Sequence, residues 1–457
     1  MVADLLRQFN SLRDERRSLI AKALDSSTGS GGALIPQHLE DTITNAVVRL
    51  SPEIAMINPK FDSQKYHEFN RLTALPASGG AMGENATTPT YASTYERTGV
   101  NLRIIRRKGA VTNFLKDTSA KYVDAAAAEM ENHLLAHAYD LIHYIVNGNN
   151  DANSFEPSGI EHFISTTRVN NAQGGVVPTS LSFLDDMIDE NIIRQGQNHK
   201  KAILMSPKML SKVSQLLTNV RLNQGMNGLG TVEISGGWRL NAYRDIPIIP
   251  TAVLRPTSTM TAVTLSEGAG GTVAAQAWYF RVAPVTVLGE QLASAEATIT
   301  TTGGTSTIAL SWTAFSGAIK YRIYAGSASG ATFLVREISA FTYDGNGTIT
   351  GVVTGTTFTS APTTPNGTVT VAKALDRPLV ATGGVPPESV ILWDLDDYQG
   401  LGKFAYTNSG GSKFKGLVTV DPLAITDDNV PFMIKTYGAL VPSYEATSAI
   451  TRNLRVA

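Results

Sequence analysis

The sequence predicts an α+β protein of several domains into which an all-β module is inserted. The chain has 457 residues, and a single hydrophobic core rarely serves more than about 250–300 residues. Helical periodicity occurs only outside residues 257–372. This stretch holds 25 threonines and 9 charged residues among its 116 residues, whereas 17% of the whole chain is charged. Short strand patterns recur there about every ten residues, which is typical of a β-sandwich.

The composition excludes several classes of protein. The 38 basic and 39 acidic residues give a net charge of −1, so a globally basic nucleic-acid coat is excluded. No cysteine is present, which excludes a disulfide scaffold, thiolate metal sites and a cysteine nucleophile. Neither a secretory signal nor an apolar run long enough to span a membrane is found, so no membrane association is expected.

The first 113 residues predict two extended arms. Residues 3–24 have the apolar period of an amphipathic helix, followed by a glycine- and serine-rich hinge, and the helix is expected to dock either on its own chain or on a neighbour. Residues 61–113 predict a two-stranded arm with an outgoing strand at Lys65–Leu72 and a returning strand at Val100–Thr112. Its long tip, Pro76–Thr90, is unusual inside a compact domain and favours a contact with another chain.

The next 140 residues predict helices and short strands. A long helix is expected over 118–147, with Asp117–Ser119 as cap candidates. A buried strand at Lys201–Met205 precedes a helix that begins with Ser206 as its N-cap and Pro207 as its first residue. Further elements in this stretch are a helix around Phe183–Asn191 and a turn and strand within Leu240–Pro250. Within the all-β module of residues 257–372, strands are expected at Ala277–Val282, Ala295–Ile299, Thr307–Trp312, Lys320–Tyr324 and Phe333–Glu337.

No residue pattern predicts a catalytic, cofactor-binding or metal site, and the chain is expected not to be an enzyme. His133 and His137 have the i, i+4 spacing of a zinc pair, but they lack a third ligand. The acidic group around Asp394 lacks the pattern of a calcium loop, so it is expected to be a solvated loop. The glycine-rich stretch after Gly225 lacks a phosphate-loop lysine. Trp312, Tyr321 and Tyr324 are expected in the module core rather than in a sugar site.

The order of several short motifs resembles the major capsid proteins of tailed double-stranded-DNA bacteriophages, which share the Hong Kong ninety-seven (Johnson) fold. No one motif is specific, and the resemblance depends on their order and spacing outside the insertion. The insertion itself resembles immunoglobulin-like or fibronectin type III modules through Leu310–Thr313 and Tyr321–Tyr324. The capsid-like motifs are Gly31–Pro36, Asn147–Asn149, Glu156–Ile160, Asn241–Pro250 and Phe432–Ala446.

The resemblance implies the named parts of that fold. These are an N-terminal helix and N-arm (1–60), an E-loop (61–113), a spine helix with peripheral domain (114–175), the first part of an axial domain (176–256), the inserted β-sandwich (257–372), the axial-domain return (373–400) and the C-terminal peripheral strands (401–457). The assembly residues expected in the N-arm and E-loop are Gly31, Gly32, Pro36, Gly79, Gly80, Gly83, Arg103, Arg106 and Arg107.

The resemblance also implies a function: self-assembly as hexamers and pentamers into an icosahedral shell around phage DNA. Assembly is expected in the host cytoplasm, with no cofactor, with a separate scaffolding protein and a portal, with room for decoration proteins, and with non-specific contact to DNA. Covalent crosslinking in this family needs an E-loop lysine, and none occurs between Tyr66 and Arg107. The alternatives are an encapsulin-like nanocompartment and, further from the pattern, a carbohydrate-active enzyme with a fibronectin-like module.

Overall fold

The secondary structure of the computed structural model consists mostly of strands with five helices among the described residues, which confirms the α+β class. Among the predicted features, the N-terminal helix, the Gly31–Pro36 turn, glycines 79, 80 and 83 of the tip, and the loop at 225–229 lie outside the described residues. The structure describes residues 53–454 except 54–55, 63, 78–80, 82–83, 85–86, 88–89, 120–124, 165–168, 195, 225–229, 235–237, 252, 255–257, 330, 363–387, 408–416 and 424–427.

The chain forms two compact units. The first contains the described residues of Arg106–His137 and Asn408–Thr436, and the second those of Ser51–Ile105, Ala138–Thr407 and Tyr437–Ala457. The helices are α1 (Asn113–Ser119), α2 (Ala125–Asn147), α3 (Ile160–Phe163), α4 (Ser182–Ile193) and α5 (Pro207–Gln224), with a 3₁₀ turn at Glu445–Thr447.

The arm of the second unit is a β-hairpin. Strand β2 (Tyr66–Ala74) pairs antiparallel with β3 (Thr94–Asn101), from Tyr66 opposite Asn101 to Ala74 opposite Thr94. The predicted position of the returning strand is therefore wrong, because the prediction placed it at Val100–Thr112 whereas the strand that pairs with β2 is Thr94–Asn101. Most of that stretch is a separate strand, β4 (Arg103–Thr112), which pairs with β23 (Asn429–Leu440). The proposed cap residues Asp117–Ser119 are likewise the end of α1 rather than the start of α2.

A seven-stranded sheet forms the largest host layer of the second unit. Its central strands are nearly all apolar and buried, because α4 and α5 cover them with Leu184, Met187 and Met209. The predicted strand at Lys201–Met205 and the Ser206 cap are confirmed, since the Met209 N–H donates to Ser206 Oγ at 3.1 Å. The order is β5 (Val169–Val176), β24 (Ala449–Leu454), β20 (Glu388–Asp394), β6 (Lys201–Met205), β9 (Ile246–Pro250), β8 (Trp238–Tyr243) and β7 (Gly230–Ile234).

The turn between β8 and β9 confirms the predicted turn and strand. Arg244 and Asp245 have positive φ angles of 49° and 64°, as in the type I′ turns that match the twist of hairpin strands.

Smaller strand pairings complete the host part of the chain. In the second unit β1 (Asn58–Phe61) runs parallel to β21 (Lys403–Thr407), which pairs with the end of β23; in the first unit β22 (Thr419–Pro422) pairs with Phe432–Lys435 of β23.

The inserted stretch consists of strands that form two sheets around one core, and the predicted core positions of Trp312 and Tyr321 are confirmed. Tyr324 is also buried, in a smaller cluster with Ala283 and Leu334. The immunoglobulin-like assignment and the domain boundaries stay predictions. One sheet has β10 (Thr264–Val273), β14 (Ser306–Ser311) and β19 (Gly355–Phe358); the other has β11 (Ala277–Thr286), β12 (Gly289–Glu290), β13 (Ala297–Thr300), β15 (Ala318–Ala328) and β16 (Ala331–Ser339); β17 (Phe341–Tyr343) and β18 (Ile349–Val352) form a hairpin.

Candidate assembly surface and module anchor

The hairpin arm exposes large apolar side chains along its length. Tyr95 is 71% exposed and Leu75 is 72% exposed. Transfer of a large apolar side chain from water into a buried site contributes about 1.5–3 kcal/mol of free energy, and the single chain does not gain this contribution at these positions. Tyr66, Leu72 and Tyr91 are also exposed. A row of exposed apolar groups on one extended element is typical of a surface that another chain covers. Sequence reasoning missed these residues because it emphasised the glycines of the tip.

The base of the arm is held to the second unit by packing and by polar contacts. Phe69 and Val100 pack against a small cluster that includes Leu102 and Ala405. Further along β2, the Arg71 guanidinium lies 2.9 Å from a carboxylate oxygen of Glu445. The arm therefore has a fixed base and an apolar, exposed outer part. This arrangement suits an element that contacts a neighbouring chain.

The predicted assembly arginines differ in their availability. Arg103 turns inward, since its Nη2 donates to Asn150 Oδ1 at 2.8 Å, and burial lowers its pKa. Arg107 is half-buried in the first unit, where burial and the charge of Arg107 together lower the pKa of His137 to about 4. Arg106 is exposed on β4. Of the three, Arg106 alone presents its side chain mainly to solvent.

A buried network of charges joins the inserted module to the host. Strand β15 places Lys320 and Arg322 on the face opposite the module core, and the Lys320 side chain is fully buried. The Lys320 ammonium donates to the backbone oxygen of Asn147, at the end of α2, at 2.5 Å. It also lies 2.9 Å from Glu337 of the module and 3.6 Å from Glu156 of the host.

Arg322 contacts three carboxylates in the same network. Its Nη2 donates to Glu161 of the host at 2.8 Å, its Nε to Glu337 at 2.9 Å, and its Nη1 to Glu290 at 2.5 Å. Glu161 in turn accepts from Arg452 on β24 at 3.0 Å. Because these groups are nearly all buried, each depends on its partners for the interactions that water would otherwise supply. The module is thus anchored on helix α3 and on the C-terminal end of α2.

The pKa values in this network follow from burial and from the two cations. Burial would raise the pKa of Glu337, but Lys320 and Arg322 outweigh it and lower that pKa to about 2. Burial raises the pKa of Glu156, although Lys320 opposes the shift. On α2, burial and the charges of Lys320 and Arg322 lower the pKa of His143 to about 3, so this imidazole is neutral at physiological pH.

The sequence contained one sign of the anchor. The module has few charges, yet Lys320 and Arg322 alternate with the core residues Tyr321 and Ile323 on one strand. Two cations on the face opposite a core, in a stretch that is otherwise poor in charge, indicate a polar contact surface. The host partners Glu156 and Glu161 are far away in sequence, so no local pattern identifies them.

The other predicted candidates have structural roles. His137 is buried and its Nε2 bonds to Thr436 at 2.8 Å, while His133 bonds to Glu129 at 3.1 Å. The expectation of a solvated loop is wrong for Asp394, which is fully buried and accepts a hydrogen bond from His199 at 2.7 Å.

Among the residues that the structure describes, no group of three His, Asp or Glu side chains is arranged to hold a metal ion. None of the described helices is long and apolar enough to span a membrane.

Comparison with known proteins finds a likeness to one family in the host part of the chain. Residues 22–237 match the family model of the SU10 major capsid protein. The matched stretch includes the hairpin arm, α2 and three strands of the seven-stranded sheet (β5, β6 and β7), and it ends before the inserted module. No curated protein sequence matches the chain.

Three solved shell structures show a low similarity to this chain over most of its length. The encapsulin of the holo-SrpI complex from Synechococcus elongatus is 10% identical, with 90% of this chain and 88% of that chain covered and a TM-score of 0.44. The capsid of a native GTA particle is 9% identical, with 90% of each chain covered and a TM-score of 0.39. The Mycobacterium phage Ogopogo structure is 9% identical, with 87% and 90% covered and a TM-score of 0.40. All three TM-scores lie below 0.5, so these structures carry no argument, and the likeness to a family rests on the match of residues 22–237 to the SU10 major capsid protein model.

Proposed function

We propose that copies of this chain assemble as hexamers and pentamers into an icosahedral shell that encloses double-stranded DNA. The observation that supports this most directly is the hairpin arm, whose base is fixed and whose outer part exposes Tyr95, Leu75 and Leu72. In this proposal each arm lies across a neighbouring subunit, so that the apolar side chains are buried only after assembly.

Many weak contacts hold the proposed shell together. Burial of apolar surface contributes about 25 cal/mol per Å², and obligate interfaces commonly exceed about 2,000 Å². Since each subunit contacts several neighbours, the contacts reinforce one another through multivalency. The protein then acts as a structural component rather than as an enzyme.

The partners of the shell follow from the same proposal. A separate scaffolding protein guides assembly in the host cytoplasm, a portal occupies one vertex, and decoration proteins have room on the outside. The near-neutral charge of the chain fits loose, sequence-independent contact with DNA rather than base recognition. The inserted module faces outward, because a sandwich of this size on a tiling edge would keep neighbouring subunits apart.

Polar substitutions on the arm test the proposed shell. Because Tyr95 and Leu75 lose their exposure only in the assembled state, Tyr95→Ser combined with Leu75→Ser should leave the single chain folded. The subunit concentration needed for half-maximal assembly should rise about tenfold or more, which corresponds to about 1.4 kcal/mol or more per subunit contact. Negative-stain microscopy and sedimentation velocity of shells made with the scaffolding protein measure this change.

Tyr398→Ser is the matched control, because Tyr398 is a tyrosine with 76% exposure outside the arm. Assembly of the double variant at the same concentration as the control would contradict the role of the arm. The ratio of nucleic acid to protein in purified shells then tests what is enclosed. Shells filled with protein cargo and free of DNA would favour the encapsulin-like alternative.

A further inference from the structure

Three side chains meet where the arm joins the second unit. His67 lies on β2, near the start of the arm, and Lys403 is the first residue of β21. Asp62 directly follows β1, which runs parallel to β21 with Asn58 opposite Lys403. The imidazole of His67 lies between the other two groups. This position makes His67 a link between strand β2 of the arm and the sheet that contains β1 and β21.

The contacts determine where the proton of His67 lies. The Lys403 ammonium is 2.8 Å from His67 Nε2, and an ammonium group can only donate. Nε2 must therefore be the unprotonated nitrogen that accepts this hydrogen bond. The proton of the neutral ring is on Nδ1, which donates to the Asp62 carboxylate. The contact with Lys403 thus exists only while the imidazole is neutral.

The surroundings of the link leave little room for a second positive charge. Lys403 is largely buried, and burial lowers its pKa, with Lys60 acting in the same direction and Asp397 and Asp62 opposing it. The Phe69 ring stacks on the other side of His67, at 6.4 Å between ring centres. Among the described residues, the carboxylates of Asp62 and Asp397 oppose this lowering of the pKa of Lys403.

We propose that Asp62, His67 and Lys403 form a pH-sensitive lock at the base of the arm. Histidine is the side chain whose charge changes most readily between about pH 8 and pH 5. A proton that binds His67 must occupy Nε2, so the acceptor for Lys403 disappears and two cations face each other. Lys403 then moves away, while the imidazolium stays bound to Asp62 on the same side of the arm.

The lock controls one of the two polar side-chain contacts described between the arm and the rest of its unit. The other joins Arg71 and Glu445 and contains no histidine. Acidification therefore breaks the Lys403 contact at the base of the arm, while the Arg71 contact and the packing of Phe69 and Val100 remain. The consequence for shell assembly rests on the proposed function, but the lock itself is a property of a single chain.

Spin labels test the lock in the full-length, unassembled protein. The natural chain has no cysteine, so Ala74→Cys on the arm and Gln197→Cys outside it provide two unique labelling sites. Double electron–electron resonance should give a narrow distance distribution at about pH 8 and a broader, shifted one at about pH 5. Lys403→Met should show the broad distribution at both pH values, because the donor of the contact is absent.

Two histidine variants decide whether His67 is responsible. His67→Gln should abolish the pH response, since an amide does not gain a proton in this range. His199→Gln is the matched control, because His199 also bonds to a carboxylate, that of Asp394, but its other nitrogen faces Gln399 rather than a lysine; this variant should keep the response. Identical distributions at both pH values in the natural sequence, or a full response in His67→Gln, would overturn the lock. Neither result depends on whether shells form, so the two proposals fail separately.

Discussion

At the residue scale, Arg322 shows how a buried charge can join two parts of a chain. Its guanidinium binds one host carboxylate, Glu161, and two module carboxylates, Glu290 and Glu337. Five N–H donors in a planar fork suit this arrangement, whereas a lysine could not satisfy three carboxylates in one plane. Replacement of the arginine would leave buried carboxylates without their main partner.

Arg322→Leu should therefore lower the free energy of unfolding by about 3–5 kcal/mol, the range for removal of one partner of a buried ion pair. Arg244→Leu is the matched control, because Arg244 also contacts two carboxylates, Asp185 and Asp189, but at an exposed position. The control should cost at most about 1 kcal/mol. Chemical denaturation at neutral pH measures both values, and equal losses would contradict an energetic role for the buried network.

Local residue signals predicted local roles well and distant partners poorly. The Ser206 cap and a turn followed by a strand within Leu240–Pro250 were predicted from short-range backbone chemistry, and the structure has the cap and places the turn at Arg244–Asp245. Glu156 was noticed only as part of a family-like motif. Its proximity to Lys320 depends on how a strand 164 positions later in the chain packs. Asp394 was misjudged for the same reason, because its partner His199 lies on another segment.

At the element scale, the alternation of apolar and polar residues explains both the success and the error in the arm. Strand β3 has no regular buried face, since its side chains are exposed or half-buried, so the period-two signal that marks a half-buried strand is missing. Strand β4 alternates strictly, with a buried or half-buried side chain at every second position. The stronger pattern of β4 was therefore assigned to the arm, although β4 pairs with β23 in the structure.

Gly109 on β4 provides a test of packing within the first unit. A Cβ atom at this position would overlap the ring of Phe432, which itself packs edge-on against His133 at 5.4 Å between ring centres. Gly109→Ala should therefore lower the free energy of unfolding by about 1–3 kcal/mol, as overpacking of a core does. Thermal unfolding of the variant measures the loss.

A second substitution separates the overlap from the change in backbone entropy. Phe432→Leu shortens the side chain, so the double variant should be more stable than the sum of the two single effects predicts. A coupling of about 0.5–3 kcal/mol in a double-mutant cycle is expected for residues in direct contact. Strictly additive effects would show that the added methyl group does not meet Phe432.

At the scale of the whole molecule, the anchor changes how the inserted module is understood. From composition alone, the module is a separate insertion that a loop of the host tolerates. In the structure its Lys320 and Arg322 neutralise Glu156 and Glu161 of the host. Deletion of residues 257–372 would remove Lys320 from Glu156 and leave Glu161 with Arg452 as its cation, so failure of such a variant to assemble would not reveal where the module lies on the shell. A neutralised anchor, Glu156→Gln combined with the deletion, is the appropriate comparison.

The absence of covalent links between subunits is a prediction for the complete shell. No lysine occurs between Tyr66 and Arg107, and the chain has no cysteine, so neither a lysine within that part of the arm nor a disulfide is available to connect neighbouring copies. Mature shells boiled in detergent should therefore give one band near 48.7 kDa. Shells first treated with an amine-reactive crosslinker are the control and should give a ladder. A ladder without that treatment would show that another lysine reaches a neighbour, and the apolar arm would then not be sufficient to hold the shell.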